Sequence, residues 1–298
     1  MKIHLDASCP LDLDATLCCG QAFRWNKKDE WWFGIVGDTA LKIRQLDDEL
    51  EFENAEPEFV HGYLSLDDDL ERIFAQIGKD EHVKNAIREF AGLRILRQDP
   101  WECLVSYICA TYKNIPAIKQ MLNNLARKFG EKNFLGNETF YDFPNPEKLA
   151  EAALKDLKKC GLGYRAKYLY ETARRVCEGG FDFERLKKEP YERAKEELLC
   201  FPGVGLKVAD CVLLFSLGKL EAFPVDVWIK RITMKYYPNH FSEDFVRRVS
   251  DKRSPSGSEY RKMNEFGRRY FGEYAGYAQE YLYHYERLDQ RSRCESSQ

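Results

Sequence analysis

The chain has 298 residues, 44% of them hydrophobic and 32% charged, a length and composition that suit one large or two modest domains and exclude disordered and collagen-like chains. The formal charge of −3 argues only weakly against a nucleic-acid partner, because it hides an asymmetry. Residues 1–100 carry 12 basic against 21 acidic side chains and the remainder 34 against 28, so a polyanion would meet the C-terminal two-thirds.

From Phe23 to Phe52 apolar residues recur at every second position, as in Trp31, Phe33 and Ile35, Leu41 and Ile43, or Leu50 and Phe52, which is strand periodicity. The breaks at Asn26 to Glu30, Gly37 to Thr39 and Asp47 to Asp48 are short enough for hairpins and predict an antiparallel meander. After about Asn54 the spacing becomes helical and stays so. Asp99-Pro100 reads as an N-cap followed by proline in the first turn, with Trp101, Leu104, Val105 and Ile108 as one buried stripe. Ile115, Ile118, Leu122, Leu125 and Phe129 repeat the pattern, and Gly130 is placed to end it. Further helices are predicted over about 164–178, 190–200, 206–217, 226–236, 241–250, 258–270 and 273–287. Arg253 to Ser258, with Pro255 and Gly257, reads as a mobile loop. The fold class is therefore α+β: an N-terminal antiparallel sheet unit with flanking helices over 1–98, and a helical region over 99–298, with helices between 55 and 98 free to pack on either side.

No stretch approaches the ~20 apolar residues of a membrane helix, and Met1 to Gly20 lacks a basic end followed by an apolar run. The expectation is a monomer that is neither secreted nor membrane-embedded, located in the cytoplasm or nucleoid of a prokaryote or the nucleus of a eukaryote. The 10 cysteines include no CxxC pair, so free thiols and no structural metal cluster are expected.

The most informative stretch runs from Glu197 to Asp226: a helix, then Phe201-Pro202-Gly203-Val204-Gly205, then a helix that opens with Lys207. Gly203 and Gly205 around Val204 make a tight hairpin whose amides can approach a phosphate, with the positive end of the next helix behind them. Such a turn alone commonly just joins two helices. Lys207 lies in the first helical turn, where dipole and partial burial disfavour the ammonium form and favour a nucleophilic amine. Pro224-Val225-Asp226 follows at another helix start. By themselves Lys207 also reads as a solvated helix lysine and Asp226 as an N-cap.

Here the sequence resembles the helix-hairpin-helix DNA glycosylase superfamily, and Pro202 to Cys211 resembles its 8-oxoguanine branch. Gly20-Gln21-Ala22-Phe23-Arg24-Trp25, Leu96 to Pro100, Gly161 to Ala166 and Tyr274 to Gln279 agree, in collinear order over about residues 10–287. The resemblance implies excision of 8-oxoguanine from duplex DNA, with Lys207 attacking the sugar C1′ of a flipped nucleotide, a Schiff base, and β-elimination. Asp226 would stabilise the cationic sugar. It implies that the Gly20 carbonyl reads the N7 hydrogen that 8-oxoguanine has and guanine lacks. Gln279 would read the Watson–Crick edge, and Tyr283, where the family usually has Phe, would stack opposite Cys211. Gln279 and Tyr283 also fit a tyrosine-rich core face, Cys211 an apolar stripe, and Gly20 a turn.

The resemblance also places Tyr164 as a wedge, Arg165 against the orphaned cytosine, and Asn114, Gly203, Val204 and Gly205 on DNA. Three departures stand out. Tyr112-Lys113-Asn114 replaces three asparagines, Ala117 replaces a second arginine facing the opposite base, and Trp228 stands where histidine is common. Relaxed preference for cytosine opposite the lesion follows. A cation held by the carbonyls of Leu199, Phe201 and Val204 is allowed by related proteins, while the chemistry itself needs no cofactor and no metal. The competing readings are a glycosylase for alkylated bases that activates water, a non-catalytic DNA-binding hairpin protein, and a nucleotide-pool enzyme.

Overall fold

The computed structural model describes residues 1–6, 9–136 and 138–295, with side chains through residue 288. The alternating segment forms β2 (Asn26–Lys28), β3 (Trp31–Val36), β4 (Thr39–Leu46) and β5 (Glu49–Glu53), preceded by β1 (Lys2–His4), in an antiparallel sheet of order β1-β5-β4-β3-β2. Register places Trp32 opposite Ile43 and Ile43 opposite Phe52, so one face is apolar. Asp29, Gly37 and Asp47 occupy the left-handed φ that two-residue hairpins require. Strand β1 escaped the periodicity argument because three residues show no period. It is held at the sheet edge by backbone pairing and by Lys2, which pairs with Glu49 at 2.7 Å and Glu51 at 2.9 Å.

Phe23 and Trp25 precede the strand rather than belong to it, although both are buried as the alternation predicted. They face different cores. Trp25 joins the sheet core of Leu11, Leu13, Leu41, Ile43, Leu50, Phe52 and Tyr63, and its Nε1 donates to the Tyr63 hydroxyl at 2.8 Å. Phe23 enters the helical core, where its ring meets Tyr107 edge-on at 5.7 Å. The segment from Gly20 to Trp25 is thus a strap between the two cores.

Downstream the chain is helical, with one exception that the sequence pattern hid. Strands β6 (Lys132–Leu135) and β7 (Glu138–Tyr141) form a hairpin with no fully buried strand residue, so no alternation of apolar core residues marks it. It reaches back to the sheet through the Lys28–Glu138 ion pair and a bond from Asn133 to the Asp38 carbonyl. The expected caps form: Asp99 accepts from the Glu102 amide at 2.7 Å with Pro100 in the first turn, and Gly130 ends the Ile115–Phe129 helix. The loop expected at 253–258 is shorter than that, because Ser256 and Glu259 form a capping box and the Gly257–Phe271 helix begins inside it.

The two cores do not divide at a single point of the chain. The helices Leu70–Ile77 and Glu81–Glu89, which a boundary at 98 assigns to the sheet unit, bury Leu70, Ile73, Ile77, Val83 and Ala86 in the helical core beside the last helix, Ala275–Glu295. Leu96 then returns to the sheet core. At the centre lie Pro100–Ala110 and Leu206–Ser216, which bury almost every side chain and pack on each other. No helix among the described residues is long and apolar enough to cross a membrane.

Candidate active site

The hairpin joins Tyr191–Leu199 to Leu206–Ser216 through residues 200–205. Phe201 and Val204 anchor it in the core, and the Val204 amide donates to the Phe201 carbonyl at 3.1 Å. Gly203 is obligatory: φ is +81°, and a Cβ there would sit 2.7 Å from a Tyr168 ring carbon. Gly205 caps the second helix without a side chain, and a Cβ there would meet nothing within 4 Å, which leaves the first-turn amides open to an anion. The Phe201 carbonyl accepts the Val204 amide, and Leu199 is the last residue of the first hairpin helix.

Lys207 is half-buried at the base of this hairpin. It makes no ion pair among the described residues; its Nζ lies 4.7 Å from the centre of the Tyr107 ring, next to the Cys211 thiol one turn on. Burial pushes that thiol up to about 12, with the neighbouring Lys207 opposing, so Cys211 is a neutral, polarisable surface. Asp226 faces the same space. Its Oδ1 accepts the amides of Trp228 at 2.9 Å and Ile229 at 2.8 Å, capping Val227–Tyr236, and no hydrogen bond engages Oδ2 among the described residues. Burial raises its carboxyl, against the pull of the Ile229 amide, Lys207 and Arg287.

The last helix and the strap close the site. Gln279 is buried and its Oε1 meets no partner. Tyr283 lies a turn away, and its hydroxyl accepts from Arg287 at 3.3 Å. Gly20 has φ +107°, and a Cβ there would lie 3.0 Å from an Arg287 guanidinium nitrogen, 3.3 Å from Ile115 Cδ1 and 3.7 Å from the Tyr283 hydroxyl. Arg287 in turn donates to the carbonyls of Cys19 at 2.7 Å and Cys18 at 3.2 Å.

Of the residues expected on DNA, Tyr164 is 56% exposed at the start of the Arg165–Glu178 helix. Arg165 is buried instead of extended: its guanidinium lies 4.5 Å from the Tyr164 ring centre and donates to the Thr111 carbonyl. Asn114 caps Ile115–Phe129 by accepting the Ala117 amide at 3.0 Å. Between them Tyr112 projects with 81% of its surface exposed.

Sequence reasoning missed Tyr107, Glu280 and Arg287. The first carries the lysine against its ring. The other two are charged residues seven apart on an otherwise tyrosine-rich helix, a spacing of two turns that was the available signal. Among the described residues no group of three or more His, Cys, Asp or Glu could hold a metal.

The two halves match two family models: 8-oxoguanine DNA glycosylase, N-terminal domain, over residues 2–104, and HhH-GPD superfamily base excision DNA repair protein over residues 105–249. The chain belongs to the 8-oxoguanine DNA glycosylase family. As an N-glycosylase/DNA lyase of base excision repair, it is 36% identical over 229 residues to a probable N-glycosylase/DNA lyase of Methanothermobacter thermautotrophicus, covering 70% of this chain and 68% of that protein. It is 31% identical to the N-glycosylase/DNA lyase of Saccharomyces cerevisiae, covering 92% and 82%. Its fold superposes with a TM-score of 0.85 on the Clostridium acetobutylicum 8-oxoguanine glycosylase/lyase in complex with dsDNA containing cytosine opposite 8-oxoG, at 34% identity over 94% and 93% of the two chains. The 3-methyladenine DNA glycosylase of Archaeoglobus fulgidus shares the fold alone, at 22% identity and a TM-score of 0.74.

Proposed function

We propose that this glycosylase excises 8-oxoguanine from duplex DNA through a covalent intermediate on Lys207. The observation that carries the reading is the amine of Lys207, which makes no ion pair among the described residues and acts electrostatically on Asp226, whose Oδ1 alone is taken by backbone amides among them. Lys207 attacks C1′ of the extruded nucleotide, the base departs, and the resulting Schiff base permits β-elimination at the 3′ phosphate. Asp226 opposes the positive charge that develops on the sugar.

The base lies between the Cys211 thiol and the Tyr283 ring, with Gln279 reading its Watson–Crick edge and the Gly20 carbonyl accepting from N7. The uncommitted Gln279 oxygen supports the second of these assignments. Gly203, Val204 and Gly205 grip a phosphate through backbone amides, Asn114 contributes from the neighbouring helix start, and Tyr164 fills the vacated stack above Arg165. The protein acts on DNA as a monomer and needs no cofactor.

Borohydride trapping on a duplex with one 8-oxoguanine opposite cytosine tests this, beside an undamaged duplex and Lys207→Gln. A covalent adduct that requires both the lesion and Lys207 is expected. Base release without an adduct would make water the nucleophile, as in the alkylated-base reading; binding without release or adduct would leave a silent DNA-binding protein.

A further inference from the structure

The turn between Pro100–Ala110 and Ile115–Phe129 holds an aromatic residue where turn geometry disfavours one. The Lys113 amide donates to the Ala110 carbonyl at 3.2 Å, Thr111 has φ −59° and ψ 118°, and Tyr112 has φ +55°. These values describe a type II turn, whose third residue is ordinarily Gly or Asn because a side chain is strained at positive φ. The Tyr112 ring adds nothing to the packing: it is 81% exposed, and no hydrogen bond or ring contact reaches it among the described residues. Lys113 beside it is exposed and makes no ion pair among them. Backbone strain that packing does not explain concentrates at working sites.

Arg165 connects this turn to Tyr164. Its buried guanidinium donates to the Thr111 carbonyl, whose carbon is bonded to the Tyr112 nitrogen, and lies 4.5 Å from the Tyr164 ring centre. Tyr164 meets Tyr168 edge-on at 5.8 Å, and the Tyr168 ring in turn packs against Gly203 of the hairpin. A strip of exposed tyrosines thus runs from the hairpin to Tyr112, and one buried arginine ties its two most exposed rings together.

Extruding a nucleotide leaves two faces without a stacking partner: the gap in the damaged strand and the opposite base that has lost its pair. Tyr164 takes the first in the proposed function. We propose that Tyr112 stacks on the orphaned opposite base, and that Arg165 is a positioning residue that holds the Tyr112 and Tyr164 rings as a two-pronged wedge. The inference rests on the reading that the nucleotide is extruded and Tyr164 enters the duplex. Every base has a π-face, so a stacked tyrosine supports the opened duplex whichever base stands opposite the lesion. A buried guanidinium spent on Thr111 and on the Tyr164 ring does not present its fork to cytosine, and Lys113 supplies a positive charge for the DNA backbone beside the ring.

The test uses the full chain on a duplex in which 2-aminopurine stands opposite a tetrahydrofuran abasic analogue, so that no bond need be broken, and reads fluorescence and affinity together. An orphaned 2-aminopurine is bright when unstacked and quenched under an aromatic ring. Wild type should hold the probe quenched; Tyr112→Ala should leave it several-fold brighter and bind about 10-fold more weakly, with Tyr112→Phe within about twofold of wild type. Single-turnover release of 8-oxoguanine should slow about 10-fold in Tyr112→Ala, by the same factor opposite each of the four bases and with Tm no lower. Arg165→Met should brighten the probe although both rings remain; full quenching there would overturn the role of Arg165, and if that variant does not fold the Tyr112 variants decide. Tyr112→Ala within about twofold of wild type in brightness and affinity, or slowed opposite cytosine alone, overturns the proposal. Tyr112→Phe as impaired as Tyr112→Ala also overturns it, because the hydroxyl and not the ring would then make the contact. Wild type that neither binds this duplex nor releases 8-oxoguanine would remove the proposed function itself, whereas an active wild type beside an unchanged Tyr112→Ala removes only the role of Tyr112.

Discussion

Asp210 sits three residues after Lys207, fully buried, and holds the reactive helix in register. Its Oδ1 accepts from the Tyr191 hydroxyl; its Oδ2 accepts from Lys195 Nζ at 2.9 Å, the Tyr260 hydroxyl and Asn264 Nδ2 at 3.1 Å. The partners come from the first hairpin helix and from Gly257–Phe271, so one carboxylate ties three elements together. Asp210→Ala strands the Lys195 ammonium, itself 8% exposed, together with two phenols and an amide. Breaking a buried pair from one side costs ~3–5 kcal/mol, a third or more of the ~5–15 kcal/mol that holds a typical domain. Urea unfolding at neutral pH should show that loss for Asp210→Ala, and a smaller one for Asp210→Ala combined with Lys195→Met, which removes the orphaned charge. Excision per folded molecule should fall far less than stability does. A loss below ~1 kcal/mol for Asp210→Ala, or a double variant as unstable as the single, would refute the reasoning.

Gly20→Ala should slow excision of 8-oxoguanine and lower stability by ~1–2 kcal/mol, because the left-handed backbone is strained with a side chain and the new methyl presses on Arg287 and Ile115; single-turnover rates and melting check both. The Glu259 carboxyl is held at about 2: burial would raise it, but Lys252, the Ser256 amide and hydroxyl, and Arg248 outweigh burial. A depressed acid stabilises the fold above its ordinary value of 4.5 and loses that contribution as pH falls towards about 2, so urea midpoints should drop across this window in wild type and less in Glu259→Gln. Preference for cytosine opposite the lesion should be relaxed, since Arg165 donates to the Thr111 carbonyl and Ala117 offers no donor. A bidentate base contact gives ~1–3 kcal/mol of discrimination, so rates across the four opposite bases should spread less than about tenfold, and strong cytosine selectivity would show otherwise.

What could be read in advance was local. Asp99 with Pro100, Gly130, and the Gly203–Gly205 hairpin each announce themselves within a few residues, because a cap or a turn is fixed by its own backbone. The sheet was legible where one face is buried, and Leu41, Ile43, Leu50 and Phe52 bear that out. The β6–β7 hairpin was not, since none of its strand residues is fully buried and no apolar alternation is left in its sequence. Gln279 and Tyr283 could be paired by helical spacing once a family suggested them. Tyr107 could not, and the spacing of Arg287 from Glu280 marked only a shared face, because the approach of Tyr107 to Lys207 and of Arg287 to Gly20 depends on how distant segments pack.

Asp226 shows why the plain reading of a residue and the functional one need not compete. As an N-cap it satisfies two amides that the helix leaves orphaned, and the geometry of that duty fixes the carboxylate plane through Oδ1 alone. The carboxylate so held stands close enough to the half-buried Lys207 for their charges to act on each other. A carboxylate rigidly aimed in this way requires no reorganisation when positive charge develops in front of it, which is the condition under which electrostatic stabilisation is largest. Capping is therefore the means by which this acid is aimed. Asp226→Asn, which keeps an oxygen for the amides and removes the charge, should preserve Tm while abolishing most base release; loss of Tm with release intact would make the cap its whole role.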